Sequence, residues 1–137
     1  MASDKTVLLI DDDPLILDTA RRLLEREGLT VSVYSQGFDA TNFAARSLPD
    51  LVLMDVNMPF LSGDNLAGLF KRHPVLSKVP IVLFSSNDES ILQRMARDVG
   101  AIGFISKSEM ASGFARKVRL FLSLSEHRRS MPPEHEG

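Results

Sequence analysis

Apolar residues along this chain fall into five short continuous runs, each followed by a stretch in which they recur every three or four positions. The first run is Thr6–Ile10, and Asp11-Asp12-Asp13 ends it at once. Pro14 then opens a helical pattern of Ile16, Ala20, Leu23 and Leu24, which Gly28 stops. Proline has the φ of a first helical residue and no N–H to leave unpaired, and Asp13 before it is a good cap. The second run, Thr30–Tyr34, is rich in β-branched residues, and a weaker helical pattern over 38–47 carries Phe38, Phe43 and Ala44. The third run, Leu51–Met54, goes straight into Asp55 and is bounded by Pro49-Asp50 and Pro59. An apolar run this short reads as a strand buried on both faces, in the middle of a parallel sheet.

The pattern then repeats. A helix over 64–72 presents Leu66, Leu69 and Phe70 inward and stops at His73-Pro74. A fourth strand over 80–84 ends in Ser85-Ser86-Asn87. A helix over 88–98 sets Ile91, Leu92 and Met95 inward and Arg94 and Arg97 outward, with Gly100 as its cap. A fifth strand over 102–106 ends in Lys107, and a last helix over 109–125 has Phe114, Val118, Phe121 and Leu122 on its inner stripe. Leu120 and Leu124 lie off that stripe, where they either broaden the core or offer a partner or dimer contact.

Five strand–helix units with short, right-handed crossovers make an α/β fold, a parallel sheet covered on both faces. Such folds bind ligands at the carboxyl ends of their strands. Asp11, Asp12, Asp55, Ser85 and Lys107 all fall on that edge. Three neighbouring carboxylates repel, so at least one resists ionising unless a cation joins them. Mg²⁺ is the candidate, because it takes oxygen ligands, one or two carboxylates and phosphate oxygens. A hydroxyl (Ser85) and an ammonium (Lys107) facing a metal suit the outer oxygens of a phosphoryl group, and Asp55 is the expected nucleophile.

Composition narrows the classes. A chain of 137 residues with 44% hydrophobic and 25% charged residues is one domain with a full-sized core. A net charge of -2 gives no electrostatic case for nucleic acid. Cysteine is absent, which excludes thiol chemistry and disulfides. No signal peptide or membrane-spanning run is visible, so a cytoplasmic protein with no membrane insertion is expected. His73, His127 and His135 are scattered and suggest no metal site.

With these residues in place, the chain resembles the receiver domain of two-component response regulators, of the stand-alone chemotaxis-regulator type. The resemblance covers about residues 6–124. It rests on Leu9-Ile10-Asp11-Asp12-Asp13-Pro14, on Asp55-Val56-Asn57-Met58-Pro59 with Gly63 after it, on Ser85, and on Gly103-Phe104-Ile105-Ser106-Lys107. The separations from Asp55 to Ser85 and from Ser85 to Lys107 are those of the family. The resemblance implies a flavodoxin-like (βα)5 sheet of strand order 2-1-3-4-5 with a receiver domain over 1–125, and the polar, Pro-containing composition of 126–137 reads as a frayed, flexible tail. It implies Asp55 as phosphoacceptor, Asp12 as direct Mg²⁺ ligand, Asp11 as a ligand through water, and Asn57 as a ligand through its backbone carbonyl. It implies Ser85 and Lys107 as partners of the phosphoryl group, and Ser85 with Phe104 as the moving parts of a switch. It implies a sensor histidine kinase or phosphotransfer protein as donor. The downstream protein target would bind the face of helix four, strand five and helix five, and the chain itself would be a monomer or weak dimer. No attached output domain is expected, since the chain ends soon after its fifth helix.

The sequence also departs from the family. Ser108 replaces a proline that usually follows the lysine in a cis peptide, which implies a trans bond or a strained turn, because a non-proline cis bond costs about 2.5–4 kcal/mol. Ser86 stands where alanine or glycine is usual, and Phe104 lacks the hydroxyl of a tyrosine. These departures motivate a second reading, a phosphorylation-independent interaction module. A third, a phosphatase, is disfavoured because Asn57 stands where aspartate-nucleophile phosphatases carry a second aspartate. Self-phosphorylation and slow self-dephosphorylation are expected, without turnover of outside substrates.

Overall fold

The computed structural model describes residues 5–57 and 63–130. Met58, Pro59 and the tail from residue 131, including His135, lie outside the described residues. Five parallel strands, β1 (Thr6–Ile10), β2 (Thr30–Tyr34), β3 (Leu51–Met54), β4 (Ile81–Ser85) and β5 (Gly103–Ser106), form one sheet in the order β2-β1-β3-β4-β5. This is the flavodoxin-like order. The central position of β3 explains its unbroken apolar run, since all four of its residues are fully buried.

The helices are α1 (Pro14–Glu25), α2 (Gly37–Ser47), α3 (Gly63–Arg72), α4 (Glu89–Val99) and α5 (Phe114–Ser130). Because side chains alternate along each strand, the sheet supports two cores. Val7, Leu9, Leu51, Leu53, Val82, Phe84 and Ile105 face α1 and α5. Leu8, Ile10, Val52, Met54, Ile81 and Leu83 face α2, α3 and α4.

Local signals set the ends of the elements nearest the acidic edge. Asp13 caps α1 by accepting from Leu15 N at 3.0 Å, with Pro14 at the first turn. Gly100 ends α4 at φ 76°, where a glycine pays no Cβ penalty. Gly103 in β5 gives the Phe121 ring of α5 its room: a Cβ there would lie 2.5 Å from that ring, which would have to shift.

The structure corrects several expectations. The last helix does not begin at Glu109. Residues Lys107–Ala111 make a 3-10 turn, Gly113 at φ 84° breaks the direction, and α5 starts at Phe114 and runs to Ser130, beyond Ser125. Phe38, Leu69 and Ile91, read as inward, are 74%, 42% and 43% exposed. The buried stripe of α2 is instead Gly37, Ala40 and Ala44, small residues that let the helix sit close to the sheet and push Phe38 out. In α3 the inward residues are Leu66, Ala67 and Phe70, and in α4 Leu92 and Ala96. Leu120 and Leu124 are exposed, so they do not broaden the core.

Candidate functional site

The carboxyl edge of the sheet gathers Asp11, Asp12, Asp55, Ser85 and Lys107. Asp11 and Asp55 follow β1 and β3 directly and are buried, 1% and 2% exposed, while Asp12 is exposed. The backbone continues the pairing of the sheet past the strands: Asp11 N donates to Tyr34 O at 3.1 Å and Asp55 N to Ile10 O at 2.9 Å. These bonds aim both carboxylates into one space. Oxygens of Asp11, Asp12 and Asp55 lie within 4.8 Å of one another.

Lys107 enters from the turn after β5. Its ammonium is 2.7 Å from Asp11 Oδ2 and 3.5 Å from Asp55 Oδ1, with the side chain 16% exposed. Phe84 lies under it, ring centroid 5.9 Å away, and stacks on Phe114 of α5. One cation therefore faces two buried anions, with a third carboxylate at the rim. Burial, first of all, pushes the Asp11 carboxyl above the ordinary carboxylate range. The Lys107 contact and the Asp13 N–H at 2.9 Å oppose that, and the nearby Asp55 charge adds to it. The expected reluctance of one carboxylate to ionise is met at Asp11, but loss of solvent outweighs repulsion as its cause.

Asp11 Oδ2 is buried without a well-directed hydrogen-bond donor, and Lys107 meets it as a charge. A buried oxygen held by the Lys107 ammonium, beside two further carboxylates, is a donor set that suits a hard divalent cation such as Mg²⁺. The residues present fit that ion, with Asp11, Asp12 and Asp55 able to hold it.

Ser85 is fully buried at the end of β4, paired in register with Ser106 of β5. Its Oγ accepts from Asn57 Nδ2 at 3.2 Å and from Asn87 N at 3.2 Å. Asn57 Nδ2 also donates to Asn87 Oδ1 at 3.0 Å, and Asn57 N donates to Asp55 Oδ1 at 3.2 Å. The Asn57 side chain thus joins the β3 and β4 ends, a contact the sequence reading, which used only its backbone carbonyl, did not foresee. Asn87 had no role in the sequence analysis beyond ending the fourth strand; its place two residues after a strand-end serine, where Asx residues bond locally, is the available signal. Phe104 is half-buried, pairs in register with Leu83 and packs against the α2–α3–α4 core. Ser86 is exposed.

The Ser108 departure has a definite outcome. No cis peptide occurs among the described residues, so the Lys107–Ser108 bond is trans. Ser108 N–H donates to Ser106 Oγ at 3.3 Å, a bond that a proline could not make.

A five-stranded parallel α/β sheet of this order with a carboxylate cluster, a lysine and a serine on its carboxyl edge defines a receiver-type signalling module. Comparison with known sequences gives the family: a model of the "Response regulator receiver domain" matches residues 7–119, and the chain belongs to that family. Among its relatives, Protein PilG of Pseudomonas aeruginosa is 32% identical over 101 residues, 74% of this chain and 75% of that protein. Chemotaxis protein CheV1 of Helicobacter pylori is 34% identical over 128 residues, 90% of this chain but 40% of that protein. Transcriptional regulatory protein CreB of Escherichia coli is 29% identical over 119 residues, 86% of this chain and 51% of that protein. The chain therefore spans about half or less of the length of the last two. Among solved structures, a LuxR-family two-component response regulator from Aurantimonas aligns with a TM-score of 0.77 at 27% identity, over 96% of this chain and 91% of that one. Chemotaxis protein CheY4 of Vibrio cholerae aligns with a TM-score of 0.72 at 21% identity, over 94% and 100%, a likeness of fold.

Proposed function

We propose that this chain is a phosphorylation-operated switch in two-component signalling, with Asp55 as the phosphoacceptor. The observation that carries the reading is the pairing of a buried Asp55 with Lys107 at 3.5 Å, inside a three-carboxylate cluster whose Asp11 Oδ2 is otherwise orphaned. A carboxylate oxygen of Asp55 attacks the donor phosphorus. The bond from phosphorus to the donor nitrogen or oxygen breaks, and the leaving group departs with the electron pair. The donor is the phosphohistidine of a sensor kinase or phosphotransfer protein. Mg²⁺, when held by Asp12, Asp55, the Asn57 carbonyl and, through water, Asp11, neutralises phosphoryl charge. Lys107 moves from its carboxylate partners toward a phosphoryl oxygen. Ser85 is then drawn to the phosphoryl group and leaves Asn57 and Asn87, and the half-buried Phe104 follows into the vacated space. Ser85 and Phe104, each with two arrangements, are the bistable element that phosphate biases.

The output is read by a protein partner on the face of α4, β5 and α5, where Ile91, Leu120 and Leu124 are exposed. No helix among the described residues is long and apolar enough to cross a membrane. The reading as a phosphorylation-independent module gains nothing from Ser108, because the capped trans turn leaves Lys107 within reach of both buried carboxylates. The test is intact-mass analysis after incubation with acetyl phosphate and Mg²⁺. Gain of one phosphoryl group, abolished by Asp55→Asn and by chelation, is expected. No gain in the wild-type chain would overturn the reading and leave the constitutive module in its place.

A further inference from the structure

Lys107 is placed by the backbone that carries it, and two side chains fix that backbone on either side. Before it, Ser106 N–H donates to Glu109 Oε2 at 3.2 Å. After it, Ser108 N–H donates to Ser106 Oγ at 3.3 Å, and the Ser106 and Ser108 hydroxyls lie 2.9 Å apart. This is a reciprocal capping box, in which each end of a serine–glutamate pair satisfies a backbone donor of the other. The pair brackets Lys107, so the φ and ψ that aim its side chain cannot drift without breaking one of these bonds.

Glu109 is itself held. Lys117 of α5 places its ammonium 2.6 Å from Glu109 Oε1, and the Glu109 carboxylate is only 22% exposed. The two oxygens of one carboxylate therefore have separate tasks. Oε2 closes the turn beneath Lys107, and Oε1 anchors that turn to the first turns of α5. A proline at 108 would remove the Ser108 N–H from this arrangement. A trans turn with serine at that position needs another source of rigidity, and Glu109 supplies it.

We infer that Glu109 is a positioning residue for Lys107. It holds residues 106–109 so that the ammonium reaches Asp11 and Asp55, and its ion pair with Lys117 couples the seating of α5 to the phosphoryl site. The inference rests on the reading of Lys107 as the group that meets the phosphoryl oxygens.

The test compares Glu109→Ala, Glu109→Gln and Lys117→Met in the full chain. The rate of phosphoryl incorporation from acetyl phosphate with Mg²⁺ is measured beside the thermal midpoint and the NMR signal of the Lys107 ammonium. Glu109→Ala is expected to slow incorporation about tenfold or more, since misplacing a catalytic group by about an ångström costs on that order or above. It is also expected to broaden the Lys107 ammonium signal, which the two carboxylates otherwise hold. Glu109→Gln keeps an oxygen for Ser106 N–H and is expected to recover most of the rate. Lys117→Met is expected to slow incorporation by the same small factor that remains in Glu109→Gln, and the double variant Glu109→Gln/Lys117→Met to be no slower than either, because both break the one ion pair; a Lys117→Met rate equal to wild type overturns the coupling to α5. A Glu109→Ala rate equal to wild type, or a loss that Glu109→Gln does not repair, overturns the inference. If the wild-type chain takes up no phosphoryl group, the parent reading fails. The Lys107 signal then decides the positioning claim by itself, supporting it if Glu109→Ala broadens the signal and overturning it if the signal is unchanged.

Discussion

Replacing Lys107 with methionine isolates what the buried ion pairs contribute. At an effective dielectric of about 20, the contact to Asp11 at 2.7 Å is worth about 6 kcal/mol of gross attraction and that to Asp55 at 3.5 Å about 5 kcal/mol. Most of this offsets the desolvation of the lysine, which the variant no longer bears. What remains is the penalty of two buried carboxylates without a cation. Breaking a buried pair costs about 3–5 kcal/mol, and partial exposure of Lys107 together with proton uptake by Asp11 brings the expected loss to about 2–4 kcal/mol. For a domain of this size that is a fall of about 6–12 °C in thermal midpoint.

The pH dependence follows from Asp11. Its carboxyl is already raised, chiefly by burial, and loss of Lys107 raises it further. A carboxyl raised in the folded state weakens the native form as pH rises through its folded value, and has no effect below its ordinary value. The gap between wild type and Lys107→Met should therefore be widest near neutrality and close on acidification. Added Mg²⁺ should stabilise the variant more than wild type, because the cluster has lost its resident cation. Thermal melts across pH, with and without Mg²⁺, measure all three effects. A variant within about 0.5 kcal/mol of wild type at neutral pH, the range of an ordinary surface change, would refute the reasoning. So would a gap that does not narrow in acid.

Three further outcomes are expected. Asp11→Asn keeps an acceptor for the Asp13 N–H and removes the buried charge, so in Mg²⁺-free melts it should exceed wild type in stability at neutral pH, with the gain vanishing as pH falls. Gly103→Ala forces the Phe121 ring aside and should cost about 1–3 kcal/mol by denaturant titration, whereas relief by Phe121→Ala in the double variant would confirm that ring as the cause. Leu48 caps α2 at φ 49° with its side chain half exposed, so Leu48→Gly should stabilise the fold by up to about 1 kcal/mol in the same titration.

Strong punctuation made much of this molecule legible from its residues. Asp13-Pro14 marks the start of α1, and the run Leu51–Met54 into Asp55 marks both the middle of the sheet and its functional edge. The convergence of Asp11, Asp12, Asp55, Ser85 and Lys107 followed from topology, since every one of them lies at or just beyond a strand's carboxyl end. What periodicity could not settle was the phase of short helices. In α2 the buried face is made of Gly37, Ala40 and Ala44, whose small side chains carry less hydrophobic weight than the exposed Phe38. The last helix was read as one piece because Phe114 to Leu122 dominates the pattern. Ser106 and Glu109, three apart, were a visible capping signal, and Ser112-Gly113 a visible break. The side-chain bridge from Asn57 to Ser85 and Asn87 joins positions distant in sequence and depends on how two strand ends meet, which no local pattern records.

The most direct test of the central claim is to locate the phosphoryl group. The chain is treated with acetyl phosphate and Mg²⁺, the acyl phosphate is reduced with borohydride, and peptides are sequenced by mass spectrometry. The account predicts reduction of one aspartate to homoserine, at Asp55, and its disappearance when Mg²⁺ is withheld. Modification at Asp11 or Asp12 in place of Asp55, or at no aspartate, would contradict it.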